Sequence, residues 1–233
     1  MLDFQQRRIY MDNFFEILSH CPLFNGIATS DLTGMLKCLN AKSVEFSKGD
    51  SIFLEGDPAQ FVGVVLDGAI QILQEDYYGN RSVLTILEPG ELFAEVFSCA
   101  GLNAIPVSAI AIKKSTVLLL NCQQMFTVCG NACRFHSQLL QNLLKVMAMK
   151  NLAMTQKIRY MSQKTTKDKL TAFLLDQAKQ NDSSEFVIPY DRQALADYLG
   201  VERSAMSVEL SKLKKNGQID TKGSWFRLLE LNS

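Results

Sequence analysis

The sequence predicts an α+β fold in three sections, because three different hydrophobic patterns follow one another along its 233 residues. Residues 1–130 are predicted to form an antiparallel β domain, residues 131–162 a dimerisation helix with a hinge, and residues 163–233 a helix-turn-helix with a hairpin wing. With 47% hydrophobic residues, the chain can bury a sizeable core. Its length is compatible with one or two domains.

Short β-type runs alternate with glycine turns between about residues 22 and 120. The turns recur roughly every ten residues, as at Asp67-Gly68 and Gly79-Asn80, and valine and isoleucine dominate between them. This spacing is typical of an antiparallel sandwich or barrel. The predicted strands cover residues 51–54, 61–66, 69–73, 82–87 and 107–111.

The section from residue 131 to about 160 lacks glycine and proline, which permits a long helix. Six residues at alternating spacings of four and three form a heptad seam, namely Leu140, Leu144, Met147, Asn151, Met154 and Ile158. An Asn in an apolar seam lowers stability but fixes register and strand number. We therefore expect pairing with a second copy of the chain; the alternative is a core helix of a single domain. Leu139, Leu143 and Val146 widen the stripe, so the helix can also pack on its own β domain.

Residues 191–213 carry the spacing of a helix-turn-helix. Asp191 can cap a short first helix, Gly200 suits the left-handed residue that ends it, and a second helix begins near Glu202. The positions expected on the buried side are Leu195, Ala196, Leu199, Met206, Leu210 and Leu213. A strand pair with a basic turn at residues 222–224 follows and predicts a wing. The alternative is an ordinary helical hairpin.

The outer face of the predicted second helix carries side chains that suit the major groove of double-stranded DNA. Arg203 can form two hydrogen bonds to a guanine edge or bind a phosphate, and the short side chains of Ser204 and Ser207 can reach bases or phosphates. Val208 can contact a thymine methyl group. The predicted DNA contacts are Arg203, Ser204, Ser207, Val208, Arg192, Lys212 and Lys215.

The distribution of charge and histidine excludes several other functions. Net charge is zero, from 24 basic and 24 acidic residues, but residues 203–227 hold six basic against two acidic residues and are net +4. We find no signal peptide and no membrane span, so we expect a cytoplasmic protein without a membrane partner. A metal-dependent cupin needs several barrel histidines, whereas His20 and His136 lie outside the β section. We therefore expect neither an enzyme nor a metal site; a ligand-binding or scaffold module without DNA binding is the alternative.

Short motifs carry a family resemblance: PLFNGI at 22–27, KGDSIF at 48–53, EGDPA at 55–59, PGELF at 89–93 and the helix-turn-helix. Through their order and spacing the chain resembles the cyclic-AMP receptor protein/FNR (Crp/Fnr) family of bacterial transcription regulators. The resemblance implies an effector-sensing, cyclic-nucleotide-binding-like β roll of jelly-roll type, a long dimerisation helix and a C-terminal winged helix-turn-helix. It also implies a homodimer that binds a two-fold symmetric operator, with half-sites ~34 Å apart, and contacts RNA polymerase.

Two departures from this family alter the expected ligands. Cyclic-nucleotide binders carry an Arg-Ser pair that grips the cyclic phosphate, whereas residues 103–108 read NAIPVS here. Burying a phosphate without a cation is costly, so we expect an unknown small effector and neither cyclic AMP nor cyclic GMP. The predicted effector residues are Glu91, which the resemblance places at a ribose hydroxyl, Leu92, Phe93, Ile105, Pro106, Val107, Met147 and Asn151. Many relatives also carry an arginine at the position of Val208, so the operator should differ there.

Two other modes of control stay open. FNR-type oxygen sensors hold an iron–sulfur cluster with cysteines near the N-terminus, where this chain offers only Cys21. A more widely spaced group of four cysteines is a candidate for an iron–sulfur cluster or for a thiol redox switch, namely Cys99, Cys122, Cys129 and Cys133. The other alternative is a constitutive regulator, which binds DNA without an effector.

Overall fold

The computed structural model describes residues 14–75, 77–78, 81–127 and 134–229. The chain divides into two compact units, and the division falls between Ala148 and Met149, within the long helix. The predicted section boundaries after residues 130 and 162 do not coincide with this division, and they stay predictions.

The first unit begins with helices and continues into a set of β-strands. Helix α1 covers Phe15–His20, a 3-10 turn covers Pro22–Phe24, and helix α2 covers Thr29–Cys38. The strands are β1 Lys42–Phe46, β2 Ser51–Phe53, β3 Phe61–Asp67, β4 Ile70–Glu75, β5 Arg81–Leu87, β6 Leu92–Phe93, β7 Ser108–Ala111 and β8 Ser115–Asn121. Two short helices accompany them: α3 at Glu95–Cys99, after β6, and α4 at Cys122–Phe126, after β8.

These strands form two antiparallel four-stranded sheets, ordered β1-β8-β3-β6 and β2-β7-β4-β5. In the first sheet β3 pairs with β8 from Phe61 opposite Asn121 to Asp67 opposite Thr116. In the second, β4 pairs with β7 on one side and with β5 on the other. Two packed antiparallel sheets of this kind are the jelly-roll arrangement, so the predicted antiparallel β roll is confirmed.

Helix α2 and strands β1 and β8 lie outside the strands that the sequence predicted. The β interpretation of residues 22–120 was too broad, because Leu32, Met35 and Leu36 stand at helical spacing and are buried on one face of α2. Strand β8 is buried along most of its length. A strand buried on both faces lacks the alternation of polar and apolar residues by which strands are recognised.

The apolar side chains of the first unit form two core clusters. One joins α1, α2 and the first sheet, and the other includes Val65, Ile70 and Phe93. Gly63 in β3 stands opposite Phe93 in β6, and a Cβ atom at Gly63 would lie 2.3 Å from the Phe93 ring. Only glycine therefore leaves room for this ring, because real Cβ contacts are never so short.

Helix α5 covers Arg134–Met161 and is the long helix that the absence of glycine and proline predicted. Leu139 and Leu143 on this helix are buried in the first core cluster. Val146 is half-buried. Two of the three residues that widen the apolar stripe, Leu139 and Leu143, therefore pack on the β roll, as the sequence indicated.

Asn142 attaches the same half of α5 to the start of the β roll. Its Nδ2 atom donates hydrogen bonds to the carbonyl oxygens of Leu23 at 2.9 Å and Asn25 at 2.8 Å. The side chain is buried, and a buried amide without such partners would be strongly destabilising. The sequence showed no signal for this role, because the two acceptors are backbone atoms far away in the chain.

The second unit continues from the end of α5. Its elements are α6 Thr166–Gln180, β9 Glu185–Val187, α7 Arg192–Leu199, α8 Arg203–Lys215, β10 Ile219–Lys222 and β11 Trp225–Leu228. The strands form one antiparallel sheet, ordered β10-β11-β9. Thr165 caps α6 as predicted, because its side-chain oxygen accepts a hydrogen bond from the Asp168 amide at 3.1 Å. No helix in the described part of the chain is both long and apolar enough to cross a membrane.

Candidate nucleic-acid interface

Helices α7 and α8 and the turn between them have the geometry of a helix-turn-helix. The Asp191 carboxylate caps α7 by accepting a hydrogen bond from the Ala194 amide at 2.8 Å. Gly200 ends the helix in the left-handed conformation, with φ of 61°. Glu202 is the N-cap residue of α8. Cap, turn glycine and helix start therefore lie at the predicted positions.

The inner faces of both helices are fixed in the core of the second unit. The residues that the sequence assigned to this side are all buried, namely Leu195, Ala196, Leu199, Met206, Leu210 and Leu213. They pack in one cluster with Phe173 of α6 and Phe226 of β11. Packing of this kind fixes the rotation of α8 about its axis, and so decides which residues face outward.

The outer face of the first turns of α8 is exposed. Arg203, Ser204 and Ser207 are accessible, and Val208 is 52% exposed despite its apolar side chain. The Ser207 hydroxyl donates a hydrogen bond to the carbonyl oxygen of Arg203 at 2.9 Å, so its oxygen lone pairs remain available as acceptors. These four residues form a small surface with a cation, two hydroxyls and a methyl-bearing side chain.

The C-terminal end of α8 is basic but partly neutralised. Lys212 pairs with Glu209 at 2.7 Å, and Lys214 pairs with Asp220 of β10, also at 2.7 Å. The hydrogen bond from Lys214 lowers the pKa of the Asp220 carboxyl below its usual value, and the Thr221 amide adds to this effect. Lys215 is exposed on the same helix end. Lysines in this place suit contacts to a phosphate backbone.

Arg192, one of the predicted DNA contacts, lies between α7 and the β10–β11 hairpin. Its Nη2 atom donates a hydrogen bond to the Thr221 hydroxyl at 2.8 Å, and its guanidinium carbon lies 4.9 Å from the centre of the Phe226 ring. Burial lowers the pKa of this guanidinium. These contacts hold α7 to the β10–β11 hairpin, and a DNA contact for Arg192 stays a prediction.

The end of α5 belongs to the second unit and is attached to α6 through Asp176. This carboxylate accepts hydrogen bonds from the Tyr160 hydroxyl at 2.8 Å and from Gln156 at 3.4 Å, and it also pairs with Arg159. Tyr160 is buried against Phe173, with their rings edge to face. This network was not predicted from the sequence, because its members on α5 lie beside the seam and not within it.

The predicted seam of α5 is largely exposed to solvent in the single chain. Leu144, Asn151, Met154 and Ile158 are exposed, whereas Leu140 and Met147 are half-buried. Leu152, which lies outside the 4-3 spacing, is also exposed and was not predicted. Exposed apolar side chains that repeat along one stripe of a helix are typical of an interaction surface.

The predicted effector residues are distributed over several environments. Three of them, Phe93, Ile105 and Val107, come together in one core cluster. Leu92 belongs to the other core cluster, and Met147 packs against that second cluster. Pro106 and Asn151 are exposed. Assignment of an effector to any of them stays a prediction.

Glu91 lies at a shallow cavity of about 450 Å³ in the first unit. The cavity is lined by Glu16, Ile17, His20, Pro22, Pro89, Gly90 and Glu91. The Glu91 carboxylate accepts a hydrogen bond from the Glu88 amide at 2.6 Å and thereby closes its own turn. The other predicted effector residues are not among the cavity's lining residues.

The structure describes two of the four cysteines proposed for a cluster or redox switch. Cys99 and Cys122 have their Sγ atoms 3.9 Å apart, whereas Cys129 and Cys133 lie outside the described residues. Among the residues that are described, no group of three or more His, Cys, Asp or Glu side chains could hold a metal ion.

Comparison with known proteins gives the same two parts. The chain matches the cyclic nucleotide-binding domain over residues 43–131 and the Crp-like helix-turn-helix domain over residues 168–233. The transcriptional activator protein FnrA of Stutzerimonas stutzeri is 23% identical over 188 residues, 78% of this chain and 75% of FnrA. The nitrogen fixation regulation protein FixK of Bradyrhizobium diazoefficiens is 27% identical over 184 residues, 76% of this chain and 74% of FixK.

A solved structure supports the fold independently. The c-di-GMP-responsive global regulator CLP of Xanthomonas campestris is 18% identical, with a TM-score of 0.54 over 87% of this chain and 100% of that chain. The domains and relatives are those of transcription regulators and not of enzymes. The matched domains, their order along the chain and the helix-turn-helix geometry together show that this chain belongs to the Crp/Fnr family of transcription regulators.

Proposed function

We propose that the chain works as a homodimer that binds a two-fold symmetric DNA operator through α8 and responds to a small effector other than a cyclic nucleotide. The observation that carries the proposal is the contrast between the two faces of α8. Met206, Leu210 and Leu213 fix its inner face, and Arg203 and Ser207 stand on the exposed outer face of its first turns. Those turns are the part of a recognition helix that enters the major groove.

The proposed base contacts are Arg203, Ser204, Ser207 and Val208, and the proposed phosphate contacts are Lys212 and Lys215. Arg203 can donate two hydrogen bonds to guanine O6 and N7, and Val208 can pack on a thymine methyl group. The Lys212 ammonium forms an ion pair with the Glu209 carboxylate. Lys212 therefore binds a phosphate only when it breaks this ion pair or contacts both anions at once. Lys215, at the exposed helix end, is the stronger candidate for a phosphate contact.

The exposed seam of α5 supports the homodimer. Leu144, Met154 and Ile158 present apolar surface that a second copy of the same helix would cover, with Asn151 fixing the register. Two recognition helices related by a two-fold axis require two half-sites, and their centres should lie one helical turn apart, ~34 Å.

Selection of duplexes from a random library by the purified full-length chain tests this proposal. We expect a two-fold symmetric consensus, and log K for the selected duplex should fall linearly with log salt concentration, steeply enough for several phosphate contacts. A chain that enriches no consensus, or that binds the enriched duplex no better than random DNA, would contradict it.

The segment around Ile105 supports an effector other than a cyclic nucleotide. Its side chain is buried in an apolar core, and its backbone pairs with Gly56 and Asp57 at 2.9 Å in each hydrogen bond. A cyclic phosphate placed there would meet no cation from residues 103–108. Thermal denaturation with cyclic AMP and cyclic GMP tests this point, since a specific ligand at 100 times its Kd adds ~2.7 kcal/mol of stability. We expect no shift, and a saturable rise in Tm would overturn the proposal.

Contact with RNA polymerase completes the proposed function, because a regulator bound near a promoter acts on transcription through the polymerase. The name of the relative FnrA, a transcriptional activator, favours activation as the direction of control. Transcription in vitro from a template that carries the selected operator should rise when the chain is added. A template with a scrambled operator serves as the control, and a fall in transcript would contradict activation.

A further inference from the structure

Two cysteines of the β roll are in direct contact through their sulfur atoms. Cys99 is the last residue of α3 and Cys122 the first residue of α4, and their Sγ atoms are 3.9 Å apart. They are separated by 23 positions in the sequence, so the fold and not local chain geometry brings them together. A disulfide requires the two sulfur atoms to approach to about 2.05 Å.

Both cysteines are anchored to the same short stretch of backbone at the start of β3. The Ser98 hydroxyl, next to Cys99, donates a hydrogen bond to the carbonyl oxygen of Phe61 at 2.7 Å. The Cys122 amide donates to the carbonyl oxygen of Gln60 at 3.1 Å. Because the adjacent residues Gln60 and Phe61, at the point where β3 begins, hold the two cysteines, the sulfur atoms stay neighbours as long as the first sheet is folded.

The two thiols differ in accessibility and in acidity. Cys99 is partly exposed, whereas Cys122 is only 3% exposed. The hydrogen bond between them raises the pKa of Cys99 and lowers the pKa of Cys122, so Cys122 is the sulfur that more readily carries negative charge. An oxidant from solvent therefore meets Cys99 first, and Cys122 stands behind it as the nucleophile.

We propose that Cys99 and Cys122 form a reversible thiol oxidation site, which closes to an intramolecular disulfide when the chain meets a two-electron oxidant such as hydrogen peroxide. The deprotonated fraction of Cys99 attacks hydrogen peroxide: the O–O bond breaks, one oxygen forms the S–O bond of a sulfenic acid, and the other oxygen leaves as water after taking up a proton. The Cys122 thiolate then attacks the Cys99 sulfur, the S–O bond breaks, and the oxygen departs with a proton as a second water. The two cysteines together lose two electrons and two protons, and a dithiol reductant restores them by thiol–disulfide exchange.

Mapping of the oxidised full-length chain tests the proposal. The reduced chain is treated with hydrogen peroxide, remaining thiols are alkylated after unfolding, and the digest is analysed by mass spectrometry without reduction. We expect peptides joined through Cys99 and Cys122, with a combined mass lower by two hydrogen atoms, and we expect dithiothreitol to separate them. Treatment in concentrated urea should abolish the preference for this pair.

Single substitutions supply the matched controls. Cys99→Ser should remove the crosslink, whereas Cys38→Ser, at an exposed cysteine of α2, should leave it unchanged. Cys122→Ser should also remove the crosslink. If this substitution at a buried position prevents folding, the crosslink map of the unsubstituted chain still tests the proposal. Folded chain that keeps both thiols alkylatable after oxidation would overturn it, as would a disulfide that joins Cys99 or Cys122 to Cys129 or Cys133. DNA binding plays no part in this readout, so the outcome is independent of the proposed function.

Discussion

Leu143 and Leu144 are neighbours in sequence on α5, yet they lie on different faces and in different environments. Leu143 is 2% exposed and packs in the core of the β roll, whereas Leu144 is 69% exposed. The same contrast separates Met206 from Ser207 on α8. In both helices one face is covered by the chain itself and the other face is exposed.

The difference teaches that folding and the proposed binding use different faces of each helix, so the free energies of unfolding and of binding can be measured separately. Substitution on a covered face should change the free energy of unfolding, because it removes packing within the folded chain. Substitution on an exposed face should change binding to a second chain or to DNA and leave unfolding of the single chain nearly unchanged. Substitutions at matched positions can break this division or sharpen it.

The largest effect is expected from Met154→Glu on the exposed seam. A charge there opposes pairing of two copies, so the dimer should dissociate and the operator should lose the linkage of its two half-sites. We expect a loss of operator affinity of about 100- to 10,000-fold. Sedimentation equilibrium and operator titration measure the two effects.

Met149→Glu is the matched control for that substitution. Met149 is 59% exposed and Met154 is 63% exposed, but Met149 lies off the seam. The control should remain dimeric and bind the operator normally. Equal dissociation of both variants would show that the paired surface is not the predicted seam.

Leu143→Ala should lower the free energy of unfolding by about 2–5 kcal/mol, because it leaves a cavity in a packed core. Leu144→Ala removes the same atoms from an exposed side chain and should change unfolding of the monomer by less than about 0.5 kcal/mol. Urea denaturation, at protein concentrations below the dissociation constant of the dimer, measures the free energy of unfolding of both variants. Similar losses for the two variants would remove the distinction between covered and exposed faces.

Arg203→Ala on the outer face of α8 should reduce operator affinity by about 1–3 kcal/mol and relax the preference for one base pair. Competition between the selected operator and variants substituted at single base pairs measures this loss. The melting temperature of the chain should stay unchanged, because Arg203 is exposed. A loss of affinity that is equal for all sequences would assign Arg203 to a phosphate and not to a base.

Lys215→Ala should give the smallest effect, a uniform weakening of DNA binding with the salt slope reduced by about 1. The reason is that a phosphate contact releases a counterion but carries no sequence information. Titration of the selected and of random duplexes over a salt series checks this prediction. An altered consensus in the Lys215 variant would contradict the proposed backbone role.

The exposed and buried faces of α5 and α8 were predictable from the sequence, because residues three and four positions apart lie on the same face of a helix. Asp191, Gly200 and the six inner positions of the helix-turn-helix lie where the spacing placed them. The exposure of Leu152 was not predicted, because an apolar residue beside the seam does not change the heptad spacing. Arg192 is among the predicted DNA contacts, and its side chain contacts Thr221 and Phe226 of a distant hairpin, which spacing along the sequence does not indicate.

The β roll was predictable as an architecture but not as a binding site. Glycine turns and short apolar runs indicate antiparallel strands, yet they do not tell which side chains meet. Phe93 and Ile105 meet in a core, and Cys99 meets Cys122 across 23 positions. Contacts of this kind depend on strand order and register, which spacing along one chain does not specify.

The attachment of α5 through Asn142 has a consequence for how the β roll is made during synthesis. The hydrogen bond from Asn142 to Leu23 joins positions 119 residues apart, and such long-range closure slows folding. Leu139 and Leu143 also belong to the first core, although the matched cyclic nucleotide-binding domain ends at residue 131. A nascent chain that has emerged only to that residue therefore holds an open core. We therefore expect the β roll to complete its folding only after the first three turns of α5 leave the ribosome. A shortened chain ending at 131 should aggregate, whereas one ending near 148 should stay folded.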